Sequence, residues 1–152
     1  MIPVLVTLST FLLMECVTWL THKFVMHGWL WSLHDDHHNK NPESVLEKND
    51  SFFIIFAIPS ILLFAIGTYL PGYENYLFVG LGILLYGIAY FLVHEIFIHQ
   101  RIKLFTRSNN FYLRALRKAH KIHHKHLGKE DGECFGMLWV PVKYFNDELR
   151  KK

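Results

Sequence analysis

The sequence predicts an all-α integral membrane protein of about three to four membrane helices, with a histidine-rich site for two metal ions at the cytoplasmic side. Apolar residues make up 51% of the chain. They are gathered into runs long enough for membrane helices, which need roughly 20 residues each. Ten of the 11 histidines repeat one spacing. The 152 residues are expected to form a single domain, residues 1–152, because many single domains have this length.

Three apolar runs, residues 2–21, 52–70 and 76–97, are each predicted to be a membrane helix. Pro59 in the second run kinks a membrane helix without preventing it, and the glycines of the third run permit close contact between helices. The residues between the first two runs, 39–50, are polar and are predicted to form a solvated loop.

The C-terminal part of the chain is less apolar. Residues 111–126 alternate apolar and basic residues, a pattern typical of an amphipathic helix on a membrane surface. Residues 134–145 are apolar but contain Pro141 and are too short for a full span. We expect an interfacial or re-entrant segment there, with a fourth inserted helix as the alternative. Residues 147–152 are expected to be a charged tail.

The distribution of charge predicts the orientation. With three spans, the ends of the first and third emerge on one side of the membrane, together with all the histidine-rich segments. All 16 lysines and arginines fall on that same side, so the positive-inside rule places the histidines and the C-terminus in the cytoplasm. The net charge of +3 is a mild excess, and no nucleic-acid partner is expected.

The histidines follow the pattern H-x4-H and then H-x2-HH, and the pattern occurs twice. Its members are His22, His27, His34, His37 and His38, and then His94, His99, His120, His123 and His124. On an α-helix, H-x2-HH points three rings within about 100° of one another, whereas H-x4-H separates two rings by about 140°. H-x4-H therefore indicates a helix end, a local distortion, or two histidines that address two different metals. His126 stands outside the pattern.

Imidazole binds iron, copper, zinc and nickel, so the donor type alone leaves the metal open. Structural zinc takes four ligands, often thiolates, and catalytic zinc keeps three. Ten histidines fit neither pattern, and the two cysteines, Cys16 and Cys134, lack a C-x-x-C partner. Two irons with nitrogen-rich shells and a position for dioxygen fit better. A haem held by two histidines would need single histidines on facing helices near mid-membrane.

Four acidic residues lie in or near the histidine pattern: Glu15, Asp35, Asp36 and Glu95. They are candidates for accepting hydrogen bonds from ring N–H groups of metal ligands. Glu15 lies in the first apolar run, on the same helix face as His22, and it is costly in hydrocarbon without a partner. The alternatives are a protonated Glu15 bonded to a neighbouring helix and solvated acids at the other positions.

The chain resembles the fatty acid hydroxylase superfamily of non-haem di-iron oxygenases through its two H-x4-H and two H-x2-HH motifs. The sequences His22-Lys-Phe-Val-Met-His27-Gly28 and His94-Glu-Ile-Phe-Ile-His99-Gln-Arg101 are similar to those of the bacterial β-carotene 3-hydroxylases. The segment 128–137, Gly-Lys-Glu-Asp-Gly-Glu-Cys-Phe-Gly-Met, narrows the resemblance to this branch.

The resemblance implies two iron ions bound by the ten patterned histidines, with O₂ as co-substrate. It also implies hydroxylation at C3 of both β-ionone rings of a carotenoid taken from the bilayer of the bacterial inner membrane, giving zeaxanthin by way of cryptoxanthin. Electrons would come from a ferredoxin and its reductase. The sequence has no G-x-G-x-x-G nucleotide motif, which agrees with a separate electron donor, and a basic face would attract an acidic one.

Two other functions are compatible with the histidine pattern. The first is a hydroxylase, ketolase or desaturase of another lipophilic substrate, such as a fatty acid or a sterol. The second is a membrane metal-binding or transport protein, although a transporter should carry polar ligands deep in its spans. The sequence does not predict which residues bind the substrate.

Overall fold

The computed structural model describes residues 1–39, 44 and 46–150, and all regular elements within them are helices. The α-helices are α1 (Ile2–Leu20), α2 (Trp31–His38), α3 (Ser51–Tyr69), α4 (Asn75–Tyr90), α5 (Phe111–His123) and α6 (Val142–Leu149). Two π-helical segments, Thr21–Trp29 and Phe91–Ile98, continue α1 and α4, and a 3-10 turn at Lys48–Asp50 leads into α3. The all-α prediction is confirmed.

Three helices are long and apolar enough to cross a membrane: Ile2–Trp29, Lys48–Tyr69 and Asn75–Ile98. They correspond to the three predicted spans, and the first is longer than predicted because the π-helical segment extends it. A fourth inserted helix does not form within residues 134–145. That region has no helix before Val142, and α6 has only eight residues.

Helix α4 packs against both α1 and α3, and its glycines make these contacts close. A Cβ atom at Gly82 would lie 2.5 Å from Cβ of Thr10 in α1, and one at Gly80 would lie 3.0 Å from the carbonyl oxygen of Ser60 in α3. The Ser60 hydroxyl donates a 2.8 Å hydrogen bond to the carbonyl of Gly80. Such small residues allow helix backbones to approach one another in membranes.

Asn110 caps the N-terminus of helix α5, and its side chain accepts hydrogen bonds from the amides of Tyr112 and Leu113. Its apolar face was predicted to lie on the membrane surface, but protein covers it. Three residues of α5 are fully buried: Ala115, Leu116 and Ala119. They form one hydrophobic cluster with Tyr144 of α6 and with Cys134 and Val140 of the segment before α6. An ion pair of 3.0 Å between Arg114 and Glu148 closes the α5–α6 contact, so part of the predicted charged tail is packed.

The predicted solvated loop, residues 39–50, is only partly within the structure, because residues 40–43 and 45 lie outside the described residues. In the described part, Asn49 is buried, with 4% of its surface exposed. This part of the prediction is wrong, because Asn49 is held against the histidines as described below. Residues 151 and 152 of the tail also lie outside the described residues.

Candidate metal centre

The predicted histidines come together where the π-helical segments, α2 and α5 meet. Nine of them form two groups, and within each group the ring nitrogens that could bind a metal lie within 4.8 Å of one another. The first histidine group is His22, His27, His34, His38 and His123; the second histidine group is His37, His94, His99 and His120. The tenth, His124, adjoins the second group, with its Nε2 atom 2.8 Å from that of His120.

The π-helical segments explain how H-x4-H serves one group. In a π-helix the carbonyl of residue i accepts a hydrogen bond from the amide of residue i+5, which brings residues five apart onto the same side of the helix. The amide of His99 donates a 2.9 Å hydrogen bond to the carbonyl of His94, which is this bond. His22 and His27 lie within the other π-helical segment, and both belong to the first group. Of the three interpretations of H-x4-H, the local distortion is the one observed.

The H-x2-HH motifs point their rings to one side of a helix, as predicted, but each motif contributes to both groups. In α2, His34 and His38 belong to the first group and His37 to the second. In α5, His123 belongs to the first group and His120 to the second. The two groups are therefore adjacent, and the rings of His34 and His37 stack at 5.3 Å across the boundary.

Each histidine of the first group has an oxygen beside its Nδ1 atom. The Nδ1 atoms of His22, His27, His38 and His123 lie 2.8–3.1 Å from the carbonyl oxygens of Phe135, Lys129, His126 and Glu133. The Nδ1 atom of His34 lies 2.7 Å from Oδ1 of Asn49. Because a carbonyl oxygen only accepts hydrogen bonds, Nδ1 must carry the proton, and a neutral ring then presents a lone pair on Nε2.

Two rings of the second group are backed by carboxylates. His37 Nδ1 donates to Glu47 at 2.7 Å, and His94 Nδ1 donates to Glu95 at 2.5 Å. The guanidinium of Arg101 lies 3.3 Å from Glu47 and 3.0 Å from Glu95. Burial opposes the charge of Arg101, but its hydrogen bond to Asp50 and the nearby carboxylates raise its pKa above its usual value. Arg101 is therefore a cation, and it forms ion pairs with both Glu47 and Glu95.

The Nε2 atoms face one another inside each group. Those of His22 and His34 are 3.2 Å apart, and those of His27 and His123 are also 3.2 Å apart. Among the described residues, Nε2 of His38 in the first group and Nε2 of His37 in the second are buried without a hydrogen-bond partner. Lone pairs that meet in this way repel one another unless a cation lies between them. The donor set of each group therefore fits a metal ion.

The protonation of these rings points the same way. Burial lowers the pKa of His34 from 6.5 to about 2 and that of His38 from 6.5 to about 4. Burial, reinforced by the neighbouring histidines, lowers the pKa of His37 and His120 well below 6.5. The rings are therefore neutral at pH 7, which is the form that binds metals.

The four predicted carboxylates lie in different places. Glu95 accepts a hydrogen bond from Nδ1 of His94, and its role in orienting a metal ligand stays a prediction. Asp36 accepts a hydrogen bond from the amide of Lys48, and Asp35 accepts one from the side chain of Asn39. The donors in these two bonds are residues of the α2–α3 connection and not histidine rings. Glu15 accepts hydrogen bonds from the amides of residues 137–139 and from Tyr86.

Sequence reasoning missed Glu47 and Asn49, which accept from His37 and His34. Both had been assigned to the solvated loop, and nothing in their local sequence separates them from its other polar residues. Only their position shortly after the H-x2-HH motif could have suggested the role. The other acceptors of the first group are backbone carbonyls. Every residue has one, so no sequence pattern could have indicated which of them face the histidines.

The segment 129–139, here called the covering segment, lies over the first group. It contributes three of the carbonyl acceptors, at Lys129, Glu133 and Phe135. The ring of Phe135 packs against three histidine rings, with its centroid 5.1–5.4 Å from the centroids of His22, His27 and His123. Most of this segment belongs to residues 128–137, whose sequence is similar to that of the bacterial β-carotene 3-hydroxylases. Those residues therefore form part of the histidine site.

An apolar groove of about 580 Å³ runs between α1, α3 and α4. At one end it is lined by Met26, Asn49 and Phe52, and the Phe52 ring lies 6.4 Å from that of His34. Tyr90 also lines it, with its ring 4.8 Å from that of His94, so the groove reaches both groups. Its outer edge is formed by exposed residues of the spans: Ile61, Leu84, Ile88 and Leu92.

Relatives of this chain are known. A protein named "Beta-carotene hydroxylase" from Pantoea ananas is 37% identical over 137 residues, which is 90% of this chain and 77% of the relative. One of the same name from Pseudescherichia vulneris is 36% identical over 136 residues, covering 90% and 76%. "Beta-carotene 3-hydroxylase 1, chloroplastic" from Arabidopsis thaliana is 35% identical over 137 residues, covering 86% of this chain and 43% of the plant protein.

No solved structure shows a significant match to this chain. The family model described as "Fatty acid hydroxylase" matches residues 7–145, a range that contains most of the first span, all of the second and third, and both histidine groups. The chain therefore belongs to the fatty acid hydroxylase family.

Proposed function

We propose that this chain is a membrane-bound monooxygenase that hydroxylates C3 and C3′ of β-ionone rings, converting β-carotene by way of β-cryptoxanthin to zeaxanthin. The observation that carries the proposal is the meeting of a lipid-facing apolar groove with two groups of buried imidazoles. The names of the relatives support a carotenoid as the substrate. Membership of the fatty acid hydroxylase family supports hydroxylation as the reaction.

The ten patterned histidines would hold two iron ions, one in each group, with His124 completing the second. Iron bound there would supply the reduction of O₂ and the insertion of one oxygen atom into a C–H bond. The other oxygen atom leaves as water, which requires two electrons and two protons for each hydroxylation. The Nδ1 acceptors would fix each ring so that its Nε2 atom faces the ion.

The groove would hold one end of the carotenoid with its ring toward the histidines. Fixing the ring carbon close to the reacting oxygen lowers the barrier by orientation, and the apolar walls exclude water. Because the groove is open along Ile61 and Ile88, the rest of a long polyene can stay in lipid. Either end of a symmetric substrate can then enter in turn.

Electrons would come from a ferredoxin and its reductase. Several lysines on the histidine side of the chain are exposed, among them Lys103, Lys121 and Lys125. Such a surface raises the encounter rate with an acidic partner. The same distribution of charge supports a cytoplasmic position for the centre in the bacterial inner membrane.

The test is pigment chromatography of β-carotene-producing bacteria that express the chain. We expect zeaxanthin from the wild type, β-carotene alone from His123→Ala, and wild-type pigment from His126→Ala, whose side chain stands outside both groups. A ketone product would assign the chain to another oxygenase activity. Metal uptake by the cells without any oxygenated pigment would support a transport protein instead.

A further inference from the structure

The two metal positions differ in the charge of the groups that support their ligands. In the first group, all five Nδ1 atoms face neutral oxygens, namely four backbone carbonyls and the amide of Asn49. In the second group, two Nδ1 atoms face carboxylates, those of Glu47 and Glu95. A carboxylate makes the ring it accepts from a more basic ligand than a neutral oxygen does.

The carboxylates are fixed in place. Glu95 is 1% exposed and Glu47 is 10% exposed, and Arg101 bridges the two. Arg101 also forms a forked pair with Asp50, at 2.8 and 3.3 Å. A planar guanidinium with several donors suits such a network. The guanidinium of Arg101 is therefore surrounded by three carboxylates, those of Glu47, Asp50 and Glu95. One positive charge does not balance three negative ones, so a net negative charge remains beside the second group and attracts a cation.

We propose that the position bounded by His37, His94, His99 and His120 binds its iron ion more tightly and fills first, because carboxylates held by Arg101 support its ligands. The position in the first group, supported by neutral oxygens, fills second. The inference rests on the metal centre proposed above.

The chain offers a matched pair of nearly isosteric substitutions two residues apart. Glu47→Gln removes the charge behind His37 and keeps an oxygen that can accept its hydrogen bond. Asn49→Asp adds a charge behind His34 in the first group. Glu74→Gln is the control. It removes one negative charge, as Glu47→Gln does, but it lies at the exposed turn between α3 and α4 and contacts neither histidine group.

The experiment is an anaerobic titration of the metal-free, full-length chain in detergent with ⁵⁷Fe²⁺. Bound iron per chain is measured against free iron, and Mössbauer spectra are recorded at half and full loading. In the wild type we expect two binding steps, with one quadrupole doublet dominant at half loading. Glu47→Gln should weaken the tighter step by about 10–100-fold, the usual cost of losing such a partner, and change the doublet that fills first.

Asn49→Asp should strengthen the weaker step and bring the two steps together, whereas Glu74→Gln should change neither. Two equivalent steps in the wild type, with both doublets growing together, would overturn the inference and leave the metal centre standing. So would a Glu47→Gln variant that weakens only the second step. A wild-type chain that binds no iron would overturn both the inference and the proposed function. If Glu47→Gln does not fold, the wild-type spectra and Asn49→Asp still decide.

Discussion

The carboxylate of Glu15 accepts a 2.8 Å hydrogen bond from the backbone amide of Trp139, although 124 positions separate the two residues. The same carboxylate accepts from the amides of Met137 and Leu138 at 2.9–3.0 Å and from the Tyr86 hydroxyl at 2.7 Å. It thereby ties the first span to the covering segment and to α4. A charge inside a membrane helix needs partners of this kind.

We expect Glu15→Ala to destabilise the chain by on the order of 3 kcal/mol, because it leaves several amides unpaired at once. The covering segment should also lose its position over the first group, so that the variant binds less iron. Thermal unfolding in detergent and iron content per chain measure the two effects. Tyr86→Phe removes a single one of these bonds and should cost about 1 kcal/mol. A Glu15→Ala variant that unfolds at the wild-type temperature would contradict this role.

The sequence indicated that Glu15 needs a partner, but it could not identify one. The partners are backbone amides far along the chain, and amides leave no mark in the sequence. Similarly, the spacing H-x4-H left open a helix end, a local distortion or two different metals, and only the structure shows that a π-helix places both rings in one group. The fold followed from hydrophobic run lengths, which depend on local sequence alone. The supporting acceptors depend on tertiary position, so Glu47 and Asn49 were missed.

The contact between α1 and α4 predicts a difference between two glycines of the same helix. A Cβ at Gly82 would lie 2.7 Å from the Thr7 carbonyl oxygen, whereas a Cβ at Gly87 would meet nothing within 4 Å. We therefore expect Gly82→Ala to destabilise the chain by about 1–3 kcal/mol through overpacking and Gly87→Ala to leave its stability unchanged. Thermal unfolding of the two variants side by side is the measurement. Equal stabilities would contradict the close packing.

Gly87 also lines the groove, so a large side chain there should fill it. We expect Gly87→Phe to lower carotenoid hydroxylation by on the order of tenfold or more, because the ring can no longer reach its position near the histidines. Iron content and unfolding temperature should stay at wild-type values. Leu85→Phe, on an exposed residue that does not line the groove, is the control. Full activity in Gly87→Phe would remove the groove as the substrate site.

The buried rings predict how the stability of the metal-free chain depends on pH. Burial lowers the pKa of His38 from 6.5 to about 4. Above pH 6.5 the ring is neutral in both the folded and the unfolded chain, so it adds no pH dependence. Between pH 6.5 and about 4 the unfolded chain binds a proton that the folded chain does not, so the free energy of unfolding falls as the pH falls. Burial also lowers the pKa of His34 to about 2 and that of His123 to about 3, so these rings extend the loss of stability to lower pH.

Unfolding temperatures between pH 7.5 and 4.5 should therefore decrease steadily in the metal-free protein, and less steeply in metal-free His38→Gln. A flat profile would show that these rings take up protons in the folded state, which would contradict the neutral, metal-binding form assigned to them.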